Sequence, residues 1–321
     1  MSGGIDGNDG NDGNQGGLQV PCAVRALARR HGIGADEVLP APFQGVAGTV
    51  FLLGEHLVVK VARPEPGCAA DLRKEALVVP FATGLGLRTP ELVAYGEGDE
   101  DLPGPWAVLW RVHGRAANEP GPRAYRELGR ELALLHGASV PSGVAAGVPR
   151  DEPADPAPGI ERLVAAGYLG AGLGAWLTGW LAELAAARPA PPGPVLIHGD
   201  VSAANLVLGG RGGGLVALLD WGDAALADPA AEFAKVPLRR VPEVLTGYLD
   251  GVPDADTGRA WTAGVLTHHL AWAVARLPTP PDTRGGHWSA QPGNRLLELL
   301  RAYAEGLPSP WAAWMRSKRL P

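Results

Sequence analysis

The clearest pattern of hydrophobic residues along the chain lies within 50–62 and is typical of β-strands. Two runs rich in Val and Leu, within 50–62, flank Gly54 and Glu55, which is the pattern of a β-hairpin. The same reasoning predicts four further elements, which are helices over 20–31 and 70–83 and strands over 92–97 and 106–112. The first part of the chain is therefore expected to be rich in strands.

After Gly114 the pattern becomes helical. Leu128, Leu132 and Leu135 recur at helical spacing, and Leu177 begins a second repeat of this kind. Short strands are predicted over 195–197, 206–208 and 215–219, with a glycine-rich turn over 209–214. Further helices are predicted over 230–236, 242–250, 260–277, 294–305 and 310–317, and loops over 140–159 and 278–293.

This order of elements predicts an α+β protein with two lobes. We expect a small, β-rich N-lobe over 18–113 and a larger, helical C-lobe over 114–321. Residues 1–17 consist mostly of Gly, Asn and Asp, and they cannot bury enough apolar surface to offset their ordering entropy. They are expected to form a flexible tail.

The amino-acid composition limits the classes of protein to which this chain can belong. The 321 residues are 46% apolar and 19% charged, which excludes wholesale disorder. The net charge of −6 disfavours binding to nucleic acid or to an anionic membrane surface. Cys22 and Cys68 are the only cysteines, and their separation of 46 residues fits neither a zinc motif nor a disulfide framework.

The sequence also carries no targeting or membrane signal. It lacks a run of 18 apolar residues, and its N-terminal segment contains Asp6, Asp9 and Asp12 but no early Lys or Arg. We therefore expect a cytoplasmic protein.

The segment with the most chemical information lies at the predicted short strands. Asp200 and Asn205 are five residues apart between two strands, and Asp220 ends the next strand, 15 residues after Asn205. If these strands form a hairpin, Asn205 and Asp220 lie side by side and offer the oxygen ligands that Mg²⁺ prefers. Asp200 could then accept a proton from a substrate hydroxyl during phosphoryl transfer.

This segment resembles the catalytic signature of the aminoglycoside phosphotransferase family, which is related in fold to choline kinase and protein kinases. The shared pattern is His198-Gly199-Asp200, four residues, Asn205, and a hydrophobic strand that ends in Asp220 and Trp. The resemblance implies a protein-kinase-like fold, bound ATP or GTP, and Mg²⁺. It further implies that Asp200 is the catalytic base, that Asn205 and Asp220 bind the metal, and that His198 orients the loop.

The segment 228–234 resembles the continuation of the same family pattern, with one departure. Glu232 stands where Asp is more usual, and we expect this change to be tolerated because the role of the position is structural. Glu232 and Asp223 also follow closely after Asp220. Because antibiotic-modifying members of the family bind cationic molecules through carboxylates near the catalytic loop, the resemblance makes these two residues our candidates for binding a cationic acceptor.

Lys60 supplies an independent test of the resemblance. The chain has only four lysines, and this one lies between two valines in the second strand of the predicted hairpin. A kinase needs a cation for the α- and β-phosphates of its nucleotide. Glu75 follows 15 residues later in the predicted helix, which matches the spacing of the family's Lys–Glu ion pair.

The loop before the hairpin resembles a turn that covers phosphate groups. Gly45 and Gly48 would let the backbone approach a phosphate, and Thr49 could donate a hydrogen bond to it. The chain contains neither a Walker A motif nor a glycine-rich motif that opens a helix after a strand.

The residues and the resemblance together predict transfer of a nucleotide γ-phosphoryl group to a small-molecule hydroxyl. An antibiotic is the favoured acceptor, such as an aminoglycoside-like or other basic compound. One alternative is a kinase of a metabolite, such as an amino alcohol, a sugar or a homoserine-like compound, and another is a nucleotide-binding regulator without catalysis. The choice between ATP and GTP, the acceptor hydroxyl and the oligomeric state stay open.

Overall fold

A computed structural model describes residues 19–42, 44–45, 47–100, 102–116, 120–151, 155–188, 193–210, 212–251, 254–281 and 291–306. Within these residues a β-sheet forms the N-terminal part and helices dominate the C-terminal part. This is the α+β architecture expected from the sequence. The tail over 1–17, the helix over 310–317 and most of the loop over 278–293 lie outside the described residues.

The N-terminal sheet has five antiparallel strands in the order β1-β2-β3-β5-β4. They are β1 (Val38–Pro40), β2 (Gly48–Leu53), β3 (Leu57–Ala62), β4 (Leu92–Gly96) and β5 (Trp106–Trp110). Two helices accompany them, α1 (Cys22–Arg30) and α2 (Cys68–Gly84). The predicted hairpin, helices and later strands are confirmed, whereas β1 is too short to show an alternating pattern.

Different helices cover the two faces of this sheet, and this places Lys60. Val59 packs with Val24 of α1 in one buried cluster, whereas Val58 packs against the cluster that contains Leu72 of α2. Successive residues of a strand point to opposite faces. Lys60 therefore shares the face of Val58, toward α2.

The C-terminal part contains seven α-helices among the described residues. They are α3 (Pro122–His136), α4 (Ser142–Gly147), α5 (Ala157–Ala165), α6 (Ala171–Ala187), α7 (Val241–Tyr248), α8 (Ala255–Arg276) and α9 (Asn294–Glu305). The predicted apolar stripe of α3, at Leu128, Leu132 and Leu135, is fully buried in the main core. This burial stabilises the helix far more than its intrinsic propensity does.

Two small antiparallel sheets position the segment with the His-Gly-Asp motif. Their strands are β6 (Arg115–Ala116), β7 (Val195–Ile197), β8 (Leu206–Leu208), β9 (Leu215–Leu218) and β10 (Ala225–Ala227). One sheet has the order β6-β8-β9 and the other pairs β7 with β10. The hairpin expected across the glycine-rich turn is therefore present. It brings the loop before β8 beside the segment after β9.

The predicted loop over 140–159 is wrong, because it contains α4 and the start of α5. The sequence of α4, Ser-Gly-Val-Ala-Ala-Gly, has little helical propensity. Val144 is buried in the main core, and this tertiary contact stabilises the short helix.

The described residues contain no helix that is both long enough and apolar enough to cross a membrane. We retain the division into lobes over 18–113 and 114–321 as a proposal. It is supported by β5, which ends the N-terminal sheet at Trp110, and by β6, which already pairs with β8.

Candidate active site

The loop between β7 and β8 carries Asp200 and holds its carboxylate in place. Asn205 ends a short 3-10 helix, and its Nδ2 donates hydrogen bonds to the Asp200 backbone oxygen at 2.9 Å and to Oδ2 at 2.8 Å. The Asp200 side chain is 28% exposed, so a bound molecule could still reach it. Two of the predicted residues thus lie within one rigid loop.

Gly199 makes a turn that a residue with a side chain could adopt only with strain. Its φ is +81°, in the left-handed region, and a Cβ at this position would lie 2.3 Å from the backbone oxygen of Asp223. The absence of a side chain therefore lets the segment after β9 pack directly against the loop that carries Asp200.

His198 is completely buried, and both of its ring nitrogens make hydrogen bonds to backbone groups. Nδ1 accepts from the Asp200 N–H at 3.1 Å, which makes Nε2 the donor to the Leu219 oxygen at 3.0 Å. Burial lowers the pKa of His198 in spite of nearby carboxylates. This geometry supports the loop-orienting role expected for His198.

Glu232 stabilises the same loop by accepting two backbone hydrogen bonds. Its Oε2 accepts from the His198 N–H at 2.6 Å and its Oε1 from the Gly199 N–H at 2.9 Å. The residue is 1% exposed, and His136 Nε2 lies 3.4 Å from Oε2. Both carboxylate oxygens are thus used within the chain, so the structure supports the structural role expected for Glu232 and not contact with an acceptor.

Lys60 joins the N-terminal sheet to the motif. Its Nζ lies 2.6 Å from Glu75 Oε2 and 2.7 Å from Asp220 Oδ1, and the residue is 8% exposed. Burial alone would lower the pKa of Lys60, but the two carboxylates outweigh burial and raise it. The ion pair expected from the spacing of Lys60 and Glu75 is present, and the contact with Asp220 is an addition to it.

The loop before β2 and the start of that strand, with Gly45, Gly48 and Thr49, differ in two respects from the phosphate-covering turn expected there. A Cβ on Gly48 would lie 2.8 Å from Lys60 Cγ, so this glycine makes room for the lysine side chain. Thr49 pairs with Val61 and therefore points to the face of the sheet opposite Lys60. That orientation does not support a hydrogen bond from Thr49 to a phosphate held by Lys60. Gly45 lies in the loop before β2.

Asp220 and Asn205 lie at adjacent ends of β9 and β8, as a shared metal site requires. The Leu219 N–H donates to the Asn205 backbone oxygen at 2.8 Å, and Asp220 adopts a left-handed φ of 65°. Burial would raise the pKa of Asp220, but the Lys60 ammonium outweighs burial and lowers it. The described residues include no cluster of three or more His, Cys, Asp or Glu able to hold a metal alone.

The donor set nevertheless fits Mg²⁺ in the presence of a nucleotide. Mg²⁺ in such sites binds one or two protein side chains and completes its coordination with phosphate and water oxygens. Asn205 uses its N–H groups on Asp200, which leaves its carbonyl oxygen for a ligand. Asp220 supplies an ionised carboxylate beside it.

A pocket of about 500 Å³ opens beside the Asp200 loop. Its lining includes Gly199 and Asp223, small side chains of β10 and of the 3-10 helix Pro229–Lys235, and Trp272 of α8. A volume of this size suits a small organic molecule. Asp223, expected to bind an acceptor, therefore lines the pocket as such a role requires.

Lys235 is the residue of this pocket that sequence reasoning missed. Its Nζ lies 2.6 Å from Asp223 Oδ2 and 3.3 Å from Asp200 Oδ1. The scarcity of lysine drew attention to Lys60 and could equally have drawn it to Lys235, which directly follows the family-like segment. Of the four lysines, Lys60, Lys74 and Lys235 all lie at this site.

Comparisons with known proteins agree with this geometry. A model of the phosphotransferase enzyme family matches residues 41–265, which is most of the chain. No curated protein sequence matches the chain.

Solved structures share the fold at low sequence identity. Aminoglycoside 2'-phosphotransferase-IIIa in its GDP complex is 20% identical with a TM-score of 0.64, covering 87% of this chain and 96% of that one. The macrolide 2'-phosphotransferase of Brachybacterium faecium is 20% identical with a TM-score of 0.55, covering 86% and 96%. A choline/ethanolamine kinase family protein from Mesorhizobium loti is 17% identical with a TM-score of 0.57, covering 87% and 92%. The protein-kinase-like fold expected from the motifs is confirmed.

Proposed function

The chain belongs to the phosphotransferase enzyme family, and from this premise we propose that it transfers the γ-phosphoryl group of ATP or GTP to a hydroxyl of a small molecule. The contact between Lys60 and Asp220, which are 160 residues apart, carries this proposal. It joins a cation suited to phosphate groups with the carboxylate beside the Asp200 loop. Enzymes that transfer phosphoryl groups act chiefly by positioning and by electrostatic stabilisation.

On the nucleotide side, Lys60 would bind the α- and β-phosphates while Glu75 holds its ammonium in place. The backbone at Gly45 and Gly48 would cover the phosphates. The GDP complex of the aminoglycoside phosphotransferase with this fold supports a nucleoside di- or triphosphate as the ligand. Asn205 and Asp220 would hold Mg²⁺, which would neutralise charge on the phosphates when bound.

On the acceptor side, Asp200 would position the hydroxyl and accept its proton as the phosphoryl group is transferred. Its carboxylate is held by Asn205 and lies at the edge of the pocket, where Lys235 bridges it to Asp223. The site therefore separates a nucleotide side, around Lys60, from an acceptor side, around Asp223.

An antibiotic is our favoured acceptor. Structures with this fold include enzymes named for aminoglycosides, spectinomycin and macrolides. A metabolite is the second candidate acceptor, because a choline/ethanolamine kinase family protein also shares this fold. A regulator without catalysis is disfavoured, because Lys60, Asp200, Asn205 and Asp220 are all present and in contact with one another or with the same loop.

The test is transfer of labelled phosphate from ATP and from GTP to a panel of antibiotics and metabolites. The antibiotics in the panel are hydroxyl-bearing aminoglycosides, macrolides and nucleosides. The metabolites are amino alcohols, sugars and homoserine. Transfer to an antibiotic, with protection of a sensitive bacterium that expresses the gene, is expected. Efficient transfer to a metabolite without protection would overturn the antibiotic acceptor alone, and nucleotide binding without any transfer would favour the regulator.

A further inference from the structure

Lys235 occupies the position that a cationic group of an acceptor would take. Its ammonium contacts Asp200, the proposed base, and Asp223, which lines the pocket. Burial alone would lower the pKa of Lys235, but these carboxylates outweigh burial and raise it, so the ammonium stays charged. The Lys235 and Asp200 side chains are 27% and 28% exposed, so their ion pair is less screened by solvent than the one with Asp223, which is 52% exposed.

A second carboxylate of the pocket is also neutralised by the chain itself. Asp228 is 6% exposed and receives a two-pronged contact from Arg188, with Nη2 at 2.8 Å from Oδ1. His268 Nε2 lies 3.2 Å from Oδ2 on the pocket side. A bidentate guanidinium pair of this kind is among the strongest in proteins. Asp228 therefore has little attraction left for a bound cation.

Asp151 is the third carboxylate that lines the pocket, after Asp223 and Asp228. Asp151 is exposed at the rim of the pocket, and no cationic side chain of the described residues forms an ion pair with it. Lys74 places a second ammonium group in the lining, and this group is paired with Asp71 at 3.7 Å. The wall of the pocket thus offers a single uncompensated carboxylate.

The aromatic residue of the pocket is likewise already engaged. Trp272 lines the pocket, and the guanidinium carbon of Arg295 lies 4.5 Å from the centroid of its ring. An indole ring attracts cations through its face. Arg295 engages one face of this ring, and the pocket beside Trp272 is lined by small apolar side chains such as Ala227, Ala231 and Ala271.

We propose that Lys235 determines acceptor specificity as an internal counter-ion, so that the site takes a largely apolar hydroxyl compound with at most one ammonium group and rejects polycations. This inference rests on the proposed phosphotransferase function and narrows its acceptor. A polycation would have to displace Lys235 from two carboxylates or place its charges beside Lys235 and Lys74. Like charges so placed disfavour the wrong ligand strongly.

Calorimetry on the full chain tests this inference with kanamycin, which carries several ammonium groups, and erythromycin, which carries one. Lys235→Gln leaves Asp200 and Asp223 without a cation, so it should bind kanamycin at least about tenfold more tightly than the wild type does. Binding of erythromycin should change much less. Lys235→Arg keeps the charge and should keep the wild-type preference.

Arg239→Gln is the matched control, because it removes one positive charge from the same region outside the pocket, where Arg239 pairs with exposed Glu305. It should leave kanamycin binding unchanged. The inference is overturned if folded Lys235→Gln binds kanamycin no more tightly than the wild type. It is also overturned if the wild type's best acceptor in the panel is a polycation, a result that does not depend on the variant folding.

Failure of the proposed function would look different. Absence of phosphoryl transfer to every compound would count against the proposed function. The comparison of kanamycin binding needs no turnover and would still decide the role of Lys235.

Discussion

Replacing Glu232 by glutamine tests whether a buried carboxylate shapes the loop that carries Asp200. In the wild type the two carboxylate oxygens each accept one backbone N–H, from His198 at 2.6 Å and from Gly199 at 2.9 Å. Glutamine has only one acceptor oxygen, so one of these N–H groups would face the amide NH₂. Water cannot replace the lost acceptor, because the residue is 1% exposed.

The magnitude follows from these two bonds. A hydrogen bond to a charged group contributes about 1.5–3 kcal/mol, and an unsatisfied buried donor costs about 1–3 kcal/mol. We therefore expect Glu232→Gln to lower the free energy of unfolding by about 3 kcal/mol, measured by urea denaturation. Phosphoryl transfer should fall as well, because the loop would no longer hold Asp200 in position.

Glu305→Gln is the matched control, since Glu305 is 48% exposed and pairs with Arg301 and Arg239 on the surface. Its effect should stay below about 1 kcal/mol. If Glu232→Gln costs no more than this control, the carboxylate does not hold the loop and the reasoning is refuted.

The same variant has a signature in its pH dependence. Burial alone would raise the pKa of Glu232, but its hydrogen bonds and the neighbouring His136 and His198 outweigh burial and lower it. A lowered pKa in the folded state gives stability above the ordinary glutamate value of 4.5 that is lost as the pH falls. The difference in unfolding free energy between wild type and Glu232→Gln should therefore shrink below that pH.

Three further substitutions address the reaction centre. Asp200→Ala should lower turnover by about 100-fold or more while nucleotide binding, measured by calorimetry, hardly changes; residual turnover above about a tenth would show that Asp200 is not the base. Asp220→Asn should abolish the Mg²⁺-dependent part of nucleotide binding, and equal losses with and without Mg²⁺ would contradict a ligand role. Gly199→Ala should lower the free energy of unfolding by about 2 kcal/mol or more, because its Cβ would meet the Asp223 backbone at a left-handed φ. Gly210→Ala, with open space around it, should be nearly neutral, and an equal cost at both glycines would argue against the steric reason.

The local features of this protein follow directly from its amino-acid sequence. The two apolar runs that flank Gly54 and Glu55 predict the hairpin, and Asp200 and Asn205 lie in the single loop expected between two short strands. These features depend on residues close together in the chain, where strand periodicity and turn chemistry act directly. The ion pair of Lys60 and Glu75 was expected from the resemblance to the family, whose Lys–Glu spacing this sequence matches, and the structure contains it.

The contacts between distant segments depend on the tertiary structure. It brought Lys60 to Asp220, turned Thr49 to the opposite face of the sheet, and buried Glu232 beneath the loop. It also stabilised α4, whose residues alone favour no helix.

The charge of the acceptor pocket illustrates the difference most clearly. In the sequence, Asp223 and Glu232 follow closely after Asp220, which favoured a cationic acceptor. Folding placed Lys235 between Asp223 and Asp200, and it paired Asp228 with Arg188. Interactions between charges depend on distance and burial and not on order along the chain. The net charge that a pocket presents to a ligand therefore depends on which side chains folding brings together in its lining.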